Sequence, residues 1–185
     1  YETVGTAWNI LEEYLIPLTL SENIDKAEDV VGLFDRVRGH PMARACMENA
    51  IWDLDGCAKG LSLAEMLSAE RDSVLVGVSV GIEESIEILL ERIEQHIDEG
   101  YGRVKLKIKP GWDVNVVKTV REKWPDLALQ VDANSAYSLS DIEIFLDLDQ
   151  FDLLLIEQPL HHEDIVDHAK LQKQLTTPIC LDESI

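Results

Sequence analysis

The hydrophobic positions of the chain change their period near residue 73. Before that point they recur every three to four residues, which is typical of helices that bury one face. After it, short continuous apolar runs alternate with amphipathic segments. The pattern therefore predicts a helical region over residues 1–72 and a region of alternating strands and helices over residues 73–185.

Three helices are predicted in the first region. The first follows TVGTAWNILEEYLIPLTL and stops near Pro17, because proline lacks the N–H that a helix interior requires. The second begins with Ser21 as its N-cap and ends at Gly39. The third has Pro41 in its first turn and Gly60 as its stop.

Five apolar runs in the second region predict parallel strands. They are VLVGVSVG, RVKLKIK, LALQVDAN, DLLLIEQPL and PICLDES. Strict alternation with helices implies right-handed crossovers, and the near-continuous apolar content implies that both sheet faces are covered. Without a glycine-rich phosphate loop, the order favours a (β/α) barrel over an open doubly wound sheet, which stays the alternative. A complete barrel has eight strands, so the prediction is an α/β fold with a partial TIM-type barrel of about five strands.

The net charge of −20 gives a surface that repels large polyanions. Nucleic acids and anionic membranes reward positive protein surfaces, so neither is predicted as a partner. No apolar run is long enough to span a bilayer, and no leader sequence is recognisable. Three cysteines without a CxxC motif fit the reducing cytoplasm. The chain begins without methionine and stops after a predicted strand, so we expect it to be part of a longer protein.

Four charged residues stand at the ends of successive predicted strands, at intervals of 25 residues: Lys107, Asp132, Glu157 and Asp182. A regular repeat gives this spacing to any equivalent strand positions, so the information lies in the residue types. The carboxyl ends of barrel strands form the face that carries active sites. Taken singly, LLLIEQPL is better explained by a helix-capping glutamate, and QVDAN by an Asx-type turn. Their occurrence together on consecutive strands weakens those interpretations.

Three converging carboxylates repel one another unless a cation lies between them. Ligation by oxygen alone suits Mg²⁺, with Mn²⁺ as a substitute. Lys107 is predicted to lie beside this cation, and Lys105 shares its strand face. Both neighbouring positive charges should lower the pKa of Lys107 toward neutrality, where a lysine acts as a general base.

Other polar residues near the strand ends receive simpler interpretations. Lys109 precedes Pro110 and Gly111 and is predicted to be a solvated residue at a strand end. His161 and His162 are interpreted as loop or helix-start residues, because neighbouring side chains diverge in most backbones.

The motifs KLKIKPGWD, LQVDAN, LLLIEQPL and ICLDES together resemble the enolase superfamily. More narrowly, they resemble its muconate-lactonizing subgroup, at the o-succinylbenzoate synthase / N-acylamino acid racemase branch. The resemblance covers the whole chain, because MARACMENAIWDLDGCAKG is similar to the last helix of the capping domain in that family. It implies that residues 1–72 are the helical part of an α+β capping domain and that residues 73–185 are the N-terminal portion of the barrel.

The resemblance also implies a role for each candidate residue. Asp132, Glu157 and Asp182 match the three Mg²⁺ ligands. Lys107 matches the base that removes the proton α to a carboxylate, and Lys105 matches a lysine that assists electrostatically. Asn134 matches a polar residue near the metal and is predicted to contact a small carboxylate substrate.

The implied enzyme is a lyase that forms o-succinylbenzoate for menaquinone biosynthesis. The alternative is an N-acylamino acid racemase, in which a second lysine reprotonates the opposite face. The family carries that lysine on the sixth strand, beyond Ile185, so the chain by itself is not expected to be fully active. A third hypothesis is that the chain is not an enzyme but a truncated barrel that acts only through binding at its open edge. Association into a homo-oligomer is left open.

Overall fold

The computed structural model describes residues 2–185, which form two compact units that meet in sequence between Ser73 and Val74. Among these residues, no helix is both long and apolar enough to cross a membrane. The three cysteines are free thiols. The interpretation of the first unit as part of a capping domain stays a prediction.

The first unit is helical. Its helices are α1 (Val4–Ile10), α2 (Ile16–Ser21), α3 (Asp29–Phe34), α4 (Pro41–Lys59) and α5 (Leu63–Met66), with a π-helical segment (Leu11–Leu15) between α1 and α2. Leu15, Val30, Phe34 and Ala43 form its buried centre. The prediction for α4 is confirmed: Pro41 opens the helix, and Gly60 ends it with a left-handed backbone at φ +67°.

Three predicted helix boundaries are wrong, and one of them is the stop at Gly39, since α3 already ends at Phe34. The first helix does not stop at Pro17, because the backbone continues through the π-helical segment and Pro17 lies in the first turn of α2. The N–H of a residue in the first turn has no acceptor within the helix, so proline is tolerated there. Ser21 is not an N-cap but the last residue of α2, where its hydroxyl donates to the carbonyl oxygen of Leu18 over 2.9 Å.

The second unit is a sheet of five parallel strands in the order β1-β2-β3-β4-β5. The strands are β1 (Gly77–Val80), β2 (Arg103–Lys107), β3 (Ala128–Asp132), β4 (Ile156–Glu157) and β5 (Ile179–Cys180). The helices are α6 (Ile86–Asp98), α7 (Val114–Lys123), α8 (Ile142–Leu148) and α9 (Ile165–Gln172), with 3-10 turns at Leu139–Asp141 and Asp149–Phe151. One helix follows each of the first four strands, and sequential strands are neighbours, as in the successive βα units of a barrel. The predicted α/β fold with five parallel strands is confirmed.

Some strands are shorter than the apolar runs predict. Val74, Leu75 and Val76 are between 58% and 95% exposed, and regular pairing of β1 begins only at Gly77. A single neighbouring strand, β2, pairs with β1, so the residues at its start have little to bury them.

The register of the sheet aligns the predicted chemical groups. Lys107 pairs with Asp132, Asp132 with Glu157, and Glu157 with Cys180. Paired residues of a parallel sheet project to the same face, so these side chains form one row across the carboxyl ends of the strands. Asp182 lies two residues beyond the end of this row.

Candidate metal and proton-transfer site

The lysines of β2 lie on the face opposite its apolar residues. Val104 and Leu106 are at most 1% exposed and pack into the core. Lys105 and Lys107 project from the other face and are only partly buried. The alternation along the strand therefore brings two ammonium groups to the same side of the sheet.

Both ammonium groups are paired with carboxylates of the next strands. The Nζ of Lys107 donates to Oδ2 of Asp132 over 2.5 Å and to Oδ1 of Asn134 over 2.6 Å. The Nζ of Lys105 donates to Oε1 of Glu157 over 2.8 Å and lies 3.1 Å from Oδ2 of Asp132. The structure thus joins five of the six predicted site residues in one network.

The network determines how two of its members ionise. Burial works to raise the pKa of the Asp132 carboxyl, but hydrogen bonds from Lys107, the Asn134 backbone and Lys105 outweigh it and hold that pKa below its ordinary value. Burial likewise opposes the charge on Lys105, but its bonds to Glu157 and Asp132 raise the pKa of that ammonium. Asp132 is completely buried, so it persists as a carboxylate because cationic donors surround it.

Asn134 connects β3 to the end of the chain. Its backbone is left-handed, with φ +42°, a conformation that asparagine tolerates better than most residues. Its backbone N–H donates to Oδ1 of Asp132 over 3.0 Å, and its Nδ2 donates to Oε1 of Glu183 over 2.9 Å. Both carboxylate oxygens of Asp132 are therefore occupied by defined donors.

Asp182 is placed at the same end of the sheet, but its side chain is exposed. The carboxylates of Asp132, Glu157 and Asp182 do not all lie within 4.8 Å of one another. Their chemistry nevertheless fits Mg²⁺, because the three residues offer hard oxygen ligands from successive strand ends. The Asp182 side chain is exposed, so packing does not restrict its rotation toward a common ion.

Among residues 2–185, a different group has potential metal-ligand atoms within 4.8 Å of one another: His161, His162 and Glu163. They occupy the loop between β4 and α9, as the sequence predicts. The expected divergence of the two histidines is wrong, since their ring centroids are only 4.2 Å apart. The three residues are consecutive in sequence, and His161 and Glu163 are exposed, so their closeness follows from loop geometry and carries no metal assignment.

Gln158 is a residue of this region that sequence reasoning missed. It follows Glu157 directly and is completely buried, and its side-chain oxygen accepts the backbone N–H of Asp182 over 2.8 Å. Its position between an apolar strand and Pro159 is a signal that could have found it, because a polar residue there needs buried partners.

Comparison with known proteins gives two family matches along the chain. Residues 89–185 match the family described as enolase C-terminal domain-like. Residues 3–68 match the N-terminal domain of the mandelate racemase / muconate lactonizing enzyme family. The first match includes all six candidate residues: four on β2 to β4, Asn134 just after β3, and Asp182 after β5.

Individual relatives are similar along the whole chain. It is 48% identical over 184 residues to an o-succinylbenzoate synthase of Geobacillus stearothermophilus and to an N-succinylamino acid racemase of Thermus thermophilus. A solved structure of an enolase superfamily member from Listeria innocua is 47% identical, with a TM-score of 0.97 over the whole chain and 50% of that structure. The alignments cover all of this chain but 49% and 50% of the two enzymes, so the chain spans about half the length of the curated relatives it matches.

Proposed function

Because this chain belongs to the enolase C-terminal domain-like family, we propose that the whole protein removes a proton α to a carboxylate and stabilises the resulting enolate. The observation that carries the proposal is the row of Lys107, Asp132 and Glu157 at the carboxyl ends of three paired strands. That row combines an amine that could accept a proton with carboxylates that could hold a cation.

Asp132, Glu157 and Asp182 would hold Mg²⁺, or Mn²⁺ in its place. The ion supplies Lewis-acid stabilisation of the negative charge that develops on the substrate carboxylate. Lys107 accepts the α-proton. Lys105, held by Glu157 and Asp132, adds a fixed positive charge beside the developing negative charge. Asn134 positions Lys107 through its 2.6 Å hydrogen bond and contacts the substrate.

The favoured overall reaction is dehydration to o-succinylbenzoate, a lyase reaction of menaquinone biosynthesis. The α C–H bond breaks and its proton moves to Lys107. The electron pair of the enolate then forms a carbon–carbon double bond as the β C–O bond breaks. Lys107 returns the proton to the departing hydroxyl, which leaves as water, so the enzyme is regenerated. The similarity to an o-succinylbenzoate synthase supports this choice of substrate.

The second candidate is racemisation of an N-acylamino acid, and a specific observation favours it. A relative of equal identity, 48%, is named N-succinylamino acid racemase. Both reactions start with removal of the same α-proton, so the site on this chain serves either. They differ in the fate of the enolate, which is reprotonated on its opposite face by a second acid in the racemase.

The test uses the whole protein with Mg²⁺. With the cyclohexadiene carboxylate substrate, the lyase produces an aromatic product whose ultraviolet absorbance rises with time. With a single enantiomer of an N-succinylamino acid, the racemase removes the optical rotation. Absence of both activities, together with no exchange of the α-proton for deuterium, refutes the enzyme assignment and favours the non-catalytic binding role. Cytoplasmic location and homo-oligomer formation stay predictions.

A further inference from the structure

Gln158 follows β4 and is completely buried, and both the oxygen and the nitrogen of its side-chain amide form hydrogen bonds. Its Oε1 accepts the backbone N–H of Asp182 over 2.8 Å and that of Ser184 over 3.3 Å. Its Nε2 donates to the carbonyl oxygen of Leu160 over 3.2 Å and to Oγ of Ser184 over 2.8 Å. A buried amide with this many partners fixes the position of each of them.

The main chain of Gln158 is held as firmly as its side chain. Its carbonyl oxygen accepts the N–H of Ser135, beyond the end of β3, over 2.8 Å. Its N–H donates to the carbonyl oxygen of Cys180, the last residue of β5, over 2.8 Å. Gln158 therefore binds to the ends of both neighbouring strands while it continues its own.

The backbone of Gln158 adopts a conformation that glutamine rarely takes. Its φ is +37°, in the left-handed region where a side chain larger than that of asparagine is uncommon. Such a residue persists only where surrounding contacts over-determine its conformation. At Gln158 the unfavourable backbone directs the amide toward the segment that follows β5.

We propose that Gln158 is a positioning residue that sets the distance between the carboxylates of Glu157 and Asp182. Glu157 is its sequence neighbour, and the main chain of Asp182 is bound to its amide oxygen. Asp182 lies beyond the regular pairing of β5, so strand register alone does not place it. The inference rests on the proposed function, because it takes Glu157 and Asp182 as ligands of one divalent ion.

The test measures Mn²⁺ affinity in the whole protein, from the fraction of unbound Mn²⁺ seen by electron paramagnetic resonance. Gln158→Met keeps the volume of the side chain but removes all its hydrogen bonds. Gln158→Asn suits the left-handed backbone better than glutamine but is one methylene too short to reach Asp182. We expect both variants to weaken Mn²⁺ binding by about 10- to 100-fold, the usual cost of losing a residue that orients a metal ligand.

A matched control is Gln172→Met. The Oε1 of Gln172 accepts the N–H of Ile179 over 2.6 Å, and its Nε2 donates to the carbonyl oxygen of Thr177 over 3.2 Å. Gln172 thus binds β5 at the end remote from Asp182. We expect this variant to unfold at lower urea concentration while it binds Mn²⁺ like the parent.

The results separate three cases. Weak Mn²⁺ binding in the folded Gln158→Asn variant, with parental binding in Gln172→Met, supports the positioning role. Parental binding in Gln158→Asn, or an equal loss in Gln172→Met, overturns it, because the role would then be general stability. Parental Mn²⁺ binding in Glu157→Gln refutes the proposed metal site itself and removes the premise of the inference.

Discussion

Lys107 and Asp132 are register partners on β2 and β3, and their side chains meet in an ion pair with 2.5 Å between Nζ and Oδ2. The ammonium group that is the candidate base therefore touches a candidate metal ligand. Under the proposed function, the base and a residue that would hold the ion are therefore in direct contact.

Lys107→Ala tests the role of the base. Removal of the amine should slow exchange of the substrate α-proton with deuterated water by about 10²- to 10⁴-fold, the usual contribution of a general base. Mn²⁺ affinity should not fall, because no ligand oxygen is lost. Mass spectrometry of recovered substrate measures the exchange. Lys109→Ala, at an exposed residue just beyond the same strand, is the control and should exchange like the parent. Parental exchange in Lys107→Ala would exclude this lysine from the reaction.

Glu157→Gln tests the ligand set. The amide keeps the shape of the side chain but loses the charge that binds a hard cation, so Mn²⁺ affinity should fall by at least about tenfold. Titration of Mn²⁺ by electron paramagnetic resonance gives the affinity. Glu122→Gln removes the same charge at an exposed position of α7 and should leave affinity unchanged. An equal effect of the two substitutions would mean that only the overall charge of the protein attracts the ion.

Arg121→Lys tests how the loops before β3 and β4 are held. The guanidinium of Arg121 donates to the carbonyl oxygens of Leu127 and Phe151 over 2.7 and 2.9 Å, and also to those of Pro125 and Asp152. Lysine has no planar fork, so the substitution should lower the free energy of unfolding by about 2–3 kcal/mol.

Urea unfolding followed by circular dichroism measures the effect of Arg121→Lys. Arg92→Lys is the control, because Arg92 forms a surface ion pair with Glu83 and its side chain is 53% exposed. It should change the free energy of unfolding by less than about 0.5 kcal/mol. Equal midpoints for the two variants would show that the bonds of Arg121 add nothing.

Asp149→Ala has a pH-dependent consequence. Burial works to raise the pKa of Asp149, but the N–H groups of Thr176 and Thr177 outweigh burial and hold that pKa below its ordinary value. The carboxylate therefore stabilises the fold above its unfolded pKa of about 3.9. That contribution is lost as the pH falls through the lower, folded pKa.

At pH 7 the Asp149→Ala variant should be less stable than the parent by about 1 kcal/mol, a value reduced for partial exposure. The difference should shrink below pH 4 as Asp149 of the parent takes up a proton. Urea midpoints for both proteins between pH 7 and pH 2.5 provide the measurement. A difference that stays constant over this range would contradict the assigned cause.

The strand ends were predictable from sequence because their pattern is local. Val104 and Leu106 alternate with Lys105 and Lys107, and period-two alternation directly predicts which side chains share a face. The placement of Lys107 and Asp132 at one edge of the sheet followed from one further rule, that the carboxyl ends of parallel strands come to the same edge. Their direct ion pair was not predicted. The roles assigned to these residues stay predictions.

Other features could not be predicted because they depend on tertiary contacts. Nothing in the apolar pattern marks Gln158 as left-handed, since that conformation is imposed by partners from the ends of β3 and β5. The continuation of the first helix past Pro17 depends on the π-helical segment before it, which no residue preference specifies. The exposed start of β1 at Val74 depends on its place in the sheet rather than on its own residues.

The main-chain pairing of β2, β3 and β4 also governs how this protein can diverge. Lys107, Asp132 and Glu157 are register partners on three consecutive strands, so neighbours in this row are about one interstrand spacing, roughly 4.8 Å, apart, whatever lies outside the sheet. Insertions or deletions in α6 to α8 do not change this spacing. A two-residue shift in the register of one strand, in contrast, moves its charged residue away from its partners on the neighbouring strands. Natural variation should therefore accumulate in the outer helices at little chemical cost.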